Sequence, residues 1–178
     1  MKNSKKLLRV PIVLLLLAVS QITYSQNKEQ SYKDIVIENP DAEVDIKVVN
    51  DYVKALVNNE MDKAEQLLAE KYIGFGPAVN DSINKLESIN SWKEIHKVRT
   101  NQKVGFVTQT FRVLQGNLQG DWVSQWGTYS FTQNGKEVKL PYQYTARVAN
   151  GKINRSSIYF DNLSVLLQLG YKITPPKQ

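Results

Sequence analysis

The chain has 178 residues, 42% hydrophobic and 22% charged, a balance that suits one globular domain with a single sizeable core. Of its formal net charge of +6, Lys2, Lys5, Lys6 and Arg9 supply four with no acid among them, leaving +2 for the rest. The remaining Lys and Arg are scattered without a basic run interleaved with aromatics, which argues against nucleic-acid binding, and one His with no Cys argues against a conventional transition-metal site.

Those four cations precede the apolar run Ile12 to Val19, and more polar residues follow up to Gln26. A basic start, a short apolar core and small residues near Ser25 have the pattern of a secretory signal peptide, residues 1–25. The apolar run is well short of the roughly 20 residues of a membrane span, and there is no Cys to carry a lipid. The expectation is an exported protein, periplasmic or secreted, with no integral membrane segment after cleavage. Without disulfides, its core alone must stabilise it.

Residues 26–42 read as a polar lead-in in which Ile35, Val36 and Ile37 dock as a short extended piece. Asn39-Pro40-Asp41 predicts a helix start. Val44, Val48, Val49, Tyr52, Val53, Leu56 and Val57 then recur at helical spacing, until Asn58-Asn59 breaks the pattern. Met61, Ala64, Leu67 and Leu68 predict a shorter helix ending near Lys71. Tyr72 to Asp81, with two Gly and a Pro, reads as an aromatic loop. Asn84 and Glu87 have capping-box spacing at the start of a third helix carrying Leu86, Ile89, Trp92 and Ile95.

From Lys103 the period changes to two, which predicts a strand to Val113 and a second from Trp122 to Phe131. Asn134-Gly135 and Asn150-Gly151 predict tight hairpins, because a type I′ turn needs positive φ at both central residues. On the third strand Val138, Leu140, Tyr142, Tyr144, Ala146 and Val148 share the face expected inside. By the same period Ile153, Arg155, Ser157, Tyr159 and Asp161 share a face of the fourth, with Arg155 expected near the sheet rim. Leu163, Leu166 and Leu167 lie along a final short helix stopped by Gly170, and residues 171–178 form a tail.

The fold class is therefore α+β, with N-terminal helices packed on a curved antiparallel sheet and a short C-terminal helix. The order of elements, the texts WGTYSF, ANGKI and YFDNLSVLLQLG, and the loop YIGFGPAVND before a helix carrying Trp92 resemble the SnoaL-like branch of the nuclear transport factor 2-like superfamily, over residues 43–170. The resemblance implies a cone-shaped roll with an apolar cavity between sheet and helices, and often a homodimer through the sheet. That superfamily includes ketosteroid isomerase, scytalone dehydratase, limonene epoxide hydrolase and polyketide cyclases, alongside non-catalytic binding modules.

An enzyme of this kind needs an acid or base inside the cone. Between Asn101 and Phe160 the only acids are Asp121 and Glu137, both at turns or strand ends, and the one His, His96, reads as a solvent-side helix residue. Asp161 is the remaining candidate base, with Tyr159, Tyr142 or Tyr144 as donor; equally, Asp161 has the position of an N-cap whose carboxylate accepts a backbone N–H near Ser164. Trp92, Trp126, Tyr129, Tyr142, Tyr144, Tyr159 and Asp161 are the candidate cavity lining, either around a ligand or simply as core. No phosphate loop or dinucleotide fingerprint appears, so no cofactor is expected. The reading is an exported cone that binds a small apolar or amphipathic molecule. The alternatives are an isomerase, dehydratase or cyclase using Asp161, and a homodimeric interaction module whose cone is filled by its own aromatics.

Overall fold

The computed structural model describes residues 31–174. The predicted signal peptide, the start of the lead-in and the end of the tail lie outside the described residues. The chain divides into two units, residues 1–35 and 36–178. Of the first, one helical turn at Tyr32–Ile35 is described, with the Ser31 amide donating to Asp34 Oδ2 at 3.0 Å.

The second unit begins with the two-residue strand β1 (Val36–Ile37), paired antiparallel with Val113 and Arg112 as the predicted docking piece. Asn39, buried behind Pro40, then ties the start of the first helix to the sheet. Its Oδ1 accepts from the Asp41 amide, while its Nδ2 donates to Asp45 at 2.8 Å and to Thr110 at 2.9 Å. Helix α1 (Ala42–Val57) buries Val48, Val49, Tyr52, Val53, Leu56 and Val57, the predicted stripe less one member. Val44 is exposed, because in the first turn Asp45 faces Asn39 and takes the inward position. Asn59 (φ 63°) takes the left-handed conformation that Asn tolerates at a helix end.

Helix α2 (Met61–Leu67) stops four residues before Lys71, because Leu68 enters strand β2 (Leu68–Phe75). That strand corrects the expected loop from Tyr72 to Asp81. It runs parallel to the last strand, with Gly74 opposite Ser156, and forms a hairpin with β3 (Ser82–Asn84). The capping box is present: Asn84 and Glu87 exchange side-chain-to-backbone hydrogen bonds at the start of α3 (Lys85–Val98).

Strands β4 (Thr100–Val113), β5 (Gly120–Gln133), β6 (Lys136–Ala149) and β7 (Lys152–Phe160) form the predicted antiparallel meander. Both Asn-Gly turns have positive φ at each central residue, 52° and 73° for Asn134-Gly135 and 53° and 69° for Asn150-Gly151. The sheet has seven strands in the order β1-β4-β5-β6-β7-β2-β3, curved and unclosed. The parallel β2–β7 pair corrects the expectation of a purely antiparallel sheet.

The inner face of β6 is as predicted, but that of β7 is reversed beyond its second residue. Ile153 pairs with Val148 and Arg155 with Arg147, so Asn154 is one extra residue, a bulge. Because side chains alternate with a period of two, one inserted residue exchanges the faces. Ile153 stays in the core, and thereafter Ser156, Ile158 and Phe160 point inward instead of Arg155, Ser157 and Tyr159. Arg155 lies over the Phe75 ring, 4.6 Å from its centre, in place of the expected rim position.

The closing helix α4 (Asn162–Gln168) buries Val165 and leaves Leu163, Leu166 and Leu167 exposed. This reverses the predicted stripe, because the Asp161 cap sets the rotation of the helix so that Val165 meets the core around Tyr129, Phe131, Val138 and Leu140. Among the described residues no helix is long and apolar enough to cross a membrane.

Candidate functional site

Between the inner face of the sheet and the helices lies a cavity of about 400 Å³. Its exposed lining residues, Pro77, Asp81, Ile83, Ser91 and Asn162, mark the opening. Its walls are mostly apolar, with Leu56 and Val57 from α1, Trp92 and Ile95 from α3, and Val104, Leu140 and Ile158 from the sheet.

The polar atoms inside come chiefly from five tyrosines. Tyr52 on α1 shares a hydrogen bond with Ser88 on α3 (3.2 Å), and Tyr72 on β2 shares one with Ser156 on β7 (2.7 Å). The Tyr129 hydroxyl donates to Gln102 Oε1. Behind it the Gln102 amide donates to His96 Nδ1, and His96 Nε2–H donates to the Leu56 carbonyl, each at 2.7 Å. This chain occupies both ring nitrogens, so His96 is a packed half-buried residue, which corrects its solvent-side reading. Tyr142 and Tyr144 differ from the other three. The Tyr142 hydroxyl is buried and has no hydrogen-bond partner in the protein, a condition that costs roughly 1–3 kcal/mol unless something else satisfies it, while that of Tyr144 makes no well-formed hydrogen bond but lies against Tyr72 and Ser156.

Local geometry makes room for these rings. A side chain at Gly127, opposite Tyr142 on β5, would put its Cβ 2.8 Å from the Tyr142 ring and 2.5 Å from the Gly105 carbonyl oxygen. A Cβ at Gly74 would lie 2.5 Å from the Tyr72 hydroxyl. Tyr144 stacks on Tyr52 with ring centres 6.2 Å apart, and Trp92 meets Tyr129 edge-on at 5.9 Å.

Burial raises the pKa of every one of these phenols. That of Tyr142 is pushed up to about 12, and those of Tyr52, Tyr72, Tyr129 and Tyr144 also rise, with desolvation the largest cause in each. At neutral pH all five are uncharged. They can donate or accept hydrogen bonds, but they are poor bases.

Of the predicted lining, Trp92, Tyr129, Tyr142 and Tyr144 border the cavity. Trp126, Tyr159 and Asp161 do not. Trp126 is 43% exposed on the outer face of β5, where the alternation with Gln125 and Gly127 puts it. Tyr159 is 58% exposed because of the Asn154 bulge. Asp161 is exposed and caps α4, its carboxylate accepting from the Ser164 amide at 2.9 Å. The Asp161–Tyr159 pair is thus not assembled in the cavity, and its only bordering carboxylate among the described residues is Asp81, at the opening.

Sequence reasoning missed Tyr52, Tyr72 and Arg99 as lining. Tyr52 carries the one hydroxyl within an otherwise aliphatic stripe, a signal that it serves more than packing. Tyr72 sits in the unrecognised strand.

No protein-family model and no curated protein matches the sequence. Solved structures do match in fold. A protein with a ketosteroid isomerase-like fold from Catenulispora acidiphila, solved with trimethylamine, aligns with a TM-score of 0.59 at 18% identity, covering 72% of this chain and 98% of that one. A protein described as a SnoaL-like polyketide cyclase from Shewanella denitrificans aligns at 0.58 and 12% identity, covering 74% and 98%. An LEH-like epoxide hydrolase from M. tuberculosis aligns at 0.53 and 17% identity, covering 73% and 92%. The likeness is one of architecture: this chain has the cone-shaped α+β fold of the SnoaL-like and ketosteroid isomerase-like proteins.

Proposed function

We propose that this is an exported protein whose cone binds a small apolar or amphipathic molecule, with an oxygen of that molecule meeting Tyr142 and Tyr144. The observation that carries the reading is the buried, unpartnered Tyr142 phenol, with that of Tyr144 beside it, in a cavity of about 400 Å³ with apolar walls. A pocket of that size and polarity suits a compact organic ligand oriented by a few donors. Export is supported by the charged and apolar pattern of residues 1–25.

Binding is favoured over acid–base turnover by the content of the cavity. Its phenols are held neutral, His96 is committed to Leu56 and Gln102, and Asp161 is committed to its helix. The test is to purify the mature protein, extract it with organic solvent and identify any small molecule by mass spectrometry. A retained molecule is expected, and the Tyr142→Phe, Tyr144→Phe double variant should lose it while staying folded. Retention by both forms, or an empty cavity that accepts no apolar probe, defeats the reading. Tyr142→Phe alone should raise the stability of the ligand-free protein by about 1 kcal/mol, since it removes a buried hydroxyl without a partner.

The outer face supports a homodimer. Val107, Trp126, Gln143 and Tyr159 stand in one cross-strand row over four strands, and the flanking rows Gly105–Thr128–Pro141 and Gln109–Ser124–Thr145–Ser157 are uncharged. Beyond these rows the face is basic, with Lys103 and Lys139 on one side and Arg147 and Arg155 on the other, so a second copy fits where it overlaps the uncharged rows alone. Trp126→Arg should shift sedimentation from dimer to monomer and leave ligand retention unchanged; a monomeric unmodified protein would refute the dimer.

A further inference from the structure

We propose that the molecule held in the cone is an anion, a carboxylate attached to an apolar chain or ring, and that Arg99 receives the carboxylate. The proposal rests on the binding reading above and specifies the chemistry of its ligand.

Arg99 is the residue that ends α3, half-buried, and it borders the cavity. Its guanidinium carbon lies 4.0 Å from the centre of the Phe131 ring and 5.8 Å from that of Tyr129, so its flat face is covered by aromatics. Its Nε donates to Gln133 Oε1 at 3.3 Å. No acid pairs with it among the described residues, and Glu94, earlier on α3, is engaged by Lys97 at 2.6 Å. A guanidinium has five N–H donors in a planar fork, and here one is used on a neutral amide and another faces the Tyr129 hydroxyl. The rest form an edge that suits two carboxylate oxygens, the arrangement in which Arg binds best. A cation beside an apolar cavity without its own counter-ion favours a ligand that brings one.

The spacing also fits an elongated amphiphile. Arg99 lies over Phe131 and Tyr129, which pair with Val138 and Leu140 on β6. Tyr144 is four residues beyond Leu140, about 13 Å at strand rise, with Tyr142 midway. Val104, Leu140 and Trp92 wall the interval. A carboxylate at Arg99 would therefore leave an apolar body along this wall, with a second oxygen at its far end meeting Tyr142 and Tyr144.

Arg99 has a plainer role available to it, as a cover over Phe131 that follows the C-terminus of α3. The two roles separate by ligand charge. Titration calorimetry of the mature protein with decanoate, 1-decanol and methyl decanoate, at neutral pH and below their aggregation concentrations, measures it directly. Decanoate should bind more tightly than both neutral probes. Arg99→Gln should weaken decanoate about tenfold to a hundredfold, the range for a hydrogen-bonded charge, and leave the neutral probes within about twofold. Arg99→Lys should fall between, keeping the charge but losing the fork. Equal binding of decanoate and 1-decanol by the unmodified protein overturns the proposal and leaves the binding reading standing. So does an equal loss for all three probes in a folded Arg99→Gln protein, which would make Arg99 a cover only. Failure of the unmodified, folded protein to bind any of the three refutes the proposal, and the binding reading is then decided by whether extraction yields a retained molecule. The probe comparison in the unmodified protein decides the ligand's charge even where Arg99→Gln does not fold.

Discussion

The two faces of the sheet are built from the same aromatic residue types and do opposite things with them. Inside, Tyr129, Phe131 and Tyr144 are 6%, 1% and 6% exposed, and Tyr129 and Tyr144 line the cavity. Outside, Trp126 and Tyr159 stand open to solvent in one cross-strand row with Val107 and Gln143. What separates them is parity along the strand. On β5 the parity runs unbroken from Val123 to Phe131. On β7 it is reset by Asn154, and that one residue decides that Tyr159 faces out and Phe160 lines the cavity. Register thus decides the face a residue takes, while its neighbours decide its burial: Trp122, on the outer parity of β5 like Trp126, is 6% exposed and has Arg147 over its ring.

The contrast between the faces can be broken by truncation. Phe131→Ala should destabilise the protein by about 3–5 kcal/mol, the cost of emptying a close-packed aromatic site. Tyr159→Ala should stay within about 0.5 kcal/mol when measured on monomer, as exposed sites do. Urea unfolding of the two variants measures the difference, and similar losses would mean that the faces are not distinct in solution.

Asp161 sharpens the same contrast at the edge of the cavity. As a cap outside the lining, Asp161→Ala should cost about 1 kcal/mol, while Asp161→Asn, which keeps the acceptor oxygen, should cost little. Ligand affinity should be unchanged in both. A large loss of affinity at unchanged stability would place Asp161 at the ligand after all.

The smallest effect concerns a charge on the buried side. Asp45 is 6% exposed and its pKa is raised, first by burial and then by Asp121 and Asp41, against the lowering influence of Asn39 and Arg112. Its contribution to stability is therefore full below the ordinary value of 3.8 and is lost as pH rises through the higher folded value. Asp45→Asn should be more stable than the parent at pH 7, by under about 1 kcal/mol, and the gain should vanish near pH 4. Melting curves across that range give the sign; a variant less stable at pH 7 would show that the carboxylate's place in the first turn of α1 outweighs its burial.

Much of this architecture was legible wherever a local rule suffices. The Asn-Gly turns, the Asn84–Glu87 box, the alternation of β6 and the capping position of Asp161 each depend on residues within a few positions of one another. What was not legible depends on distant partners. Tyr72 to Phe75 has the composition of a loop and becomes a strand because β7, about eighty positions later, supplies its hydrogen bonds. Asn154 looks like any strand residue; only the pairing with Arg147 and Val148 shows it to be extra. For the site, four of the seven proposed lining residues border the cavity, and the three that do not are those on the other side of a parity or a cap. Arg99 carries no mark in the sequence, since its neighbours Phe131 and Gln133 come from another hairpin.

The parallel pairing of β2 with β7 has a consequence for how the protein is made. Leu68 and Ile153 must meet across most of the domain, and the entire meander lies between them. Closing so long a loop brings no contacts until its ends are joined, so this pairing belongs to the slow, non-local part of folding. As the chain is synthesised β2 emerges early, with Tyr72 uncovered, and its long edge has no strand to pair with until β7 arrives. The cavity comes into existence only when nearly the last residue has been delivered, and until then Tyr72 is open surface for a chaperone, or for another copy of the chain, to seize.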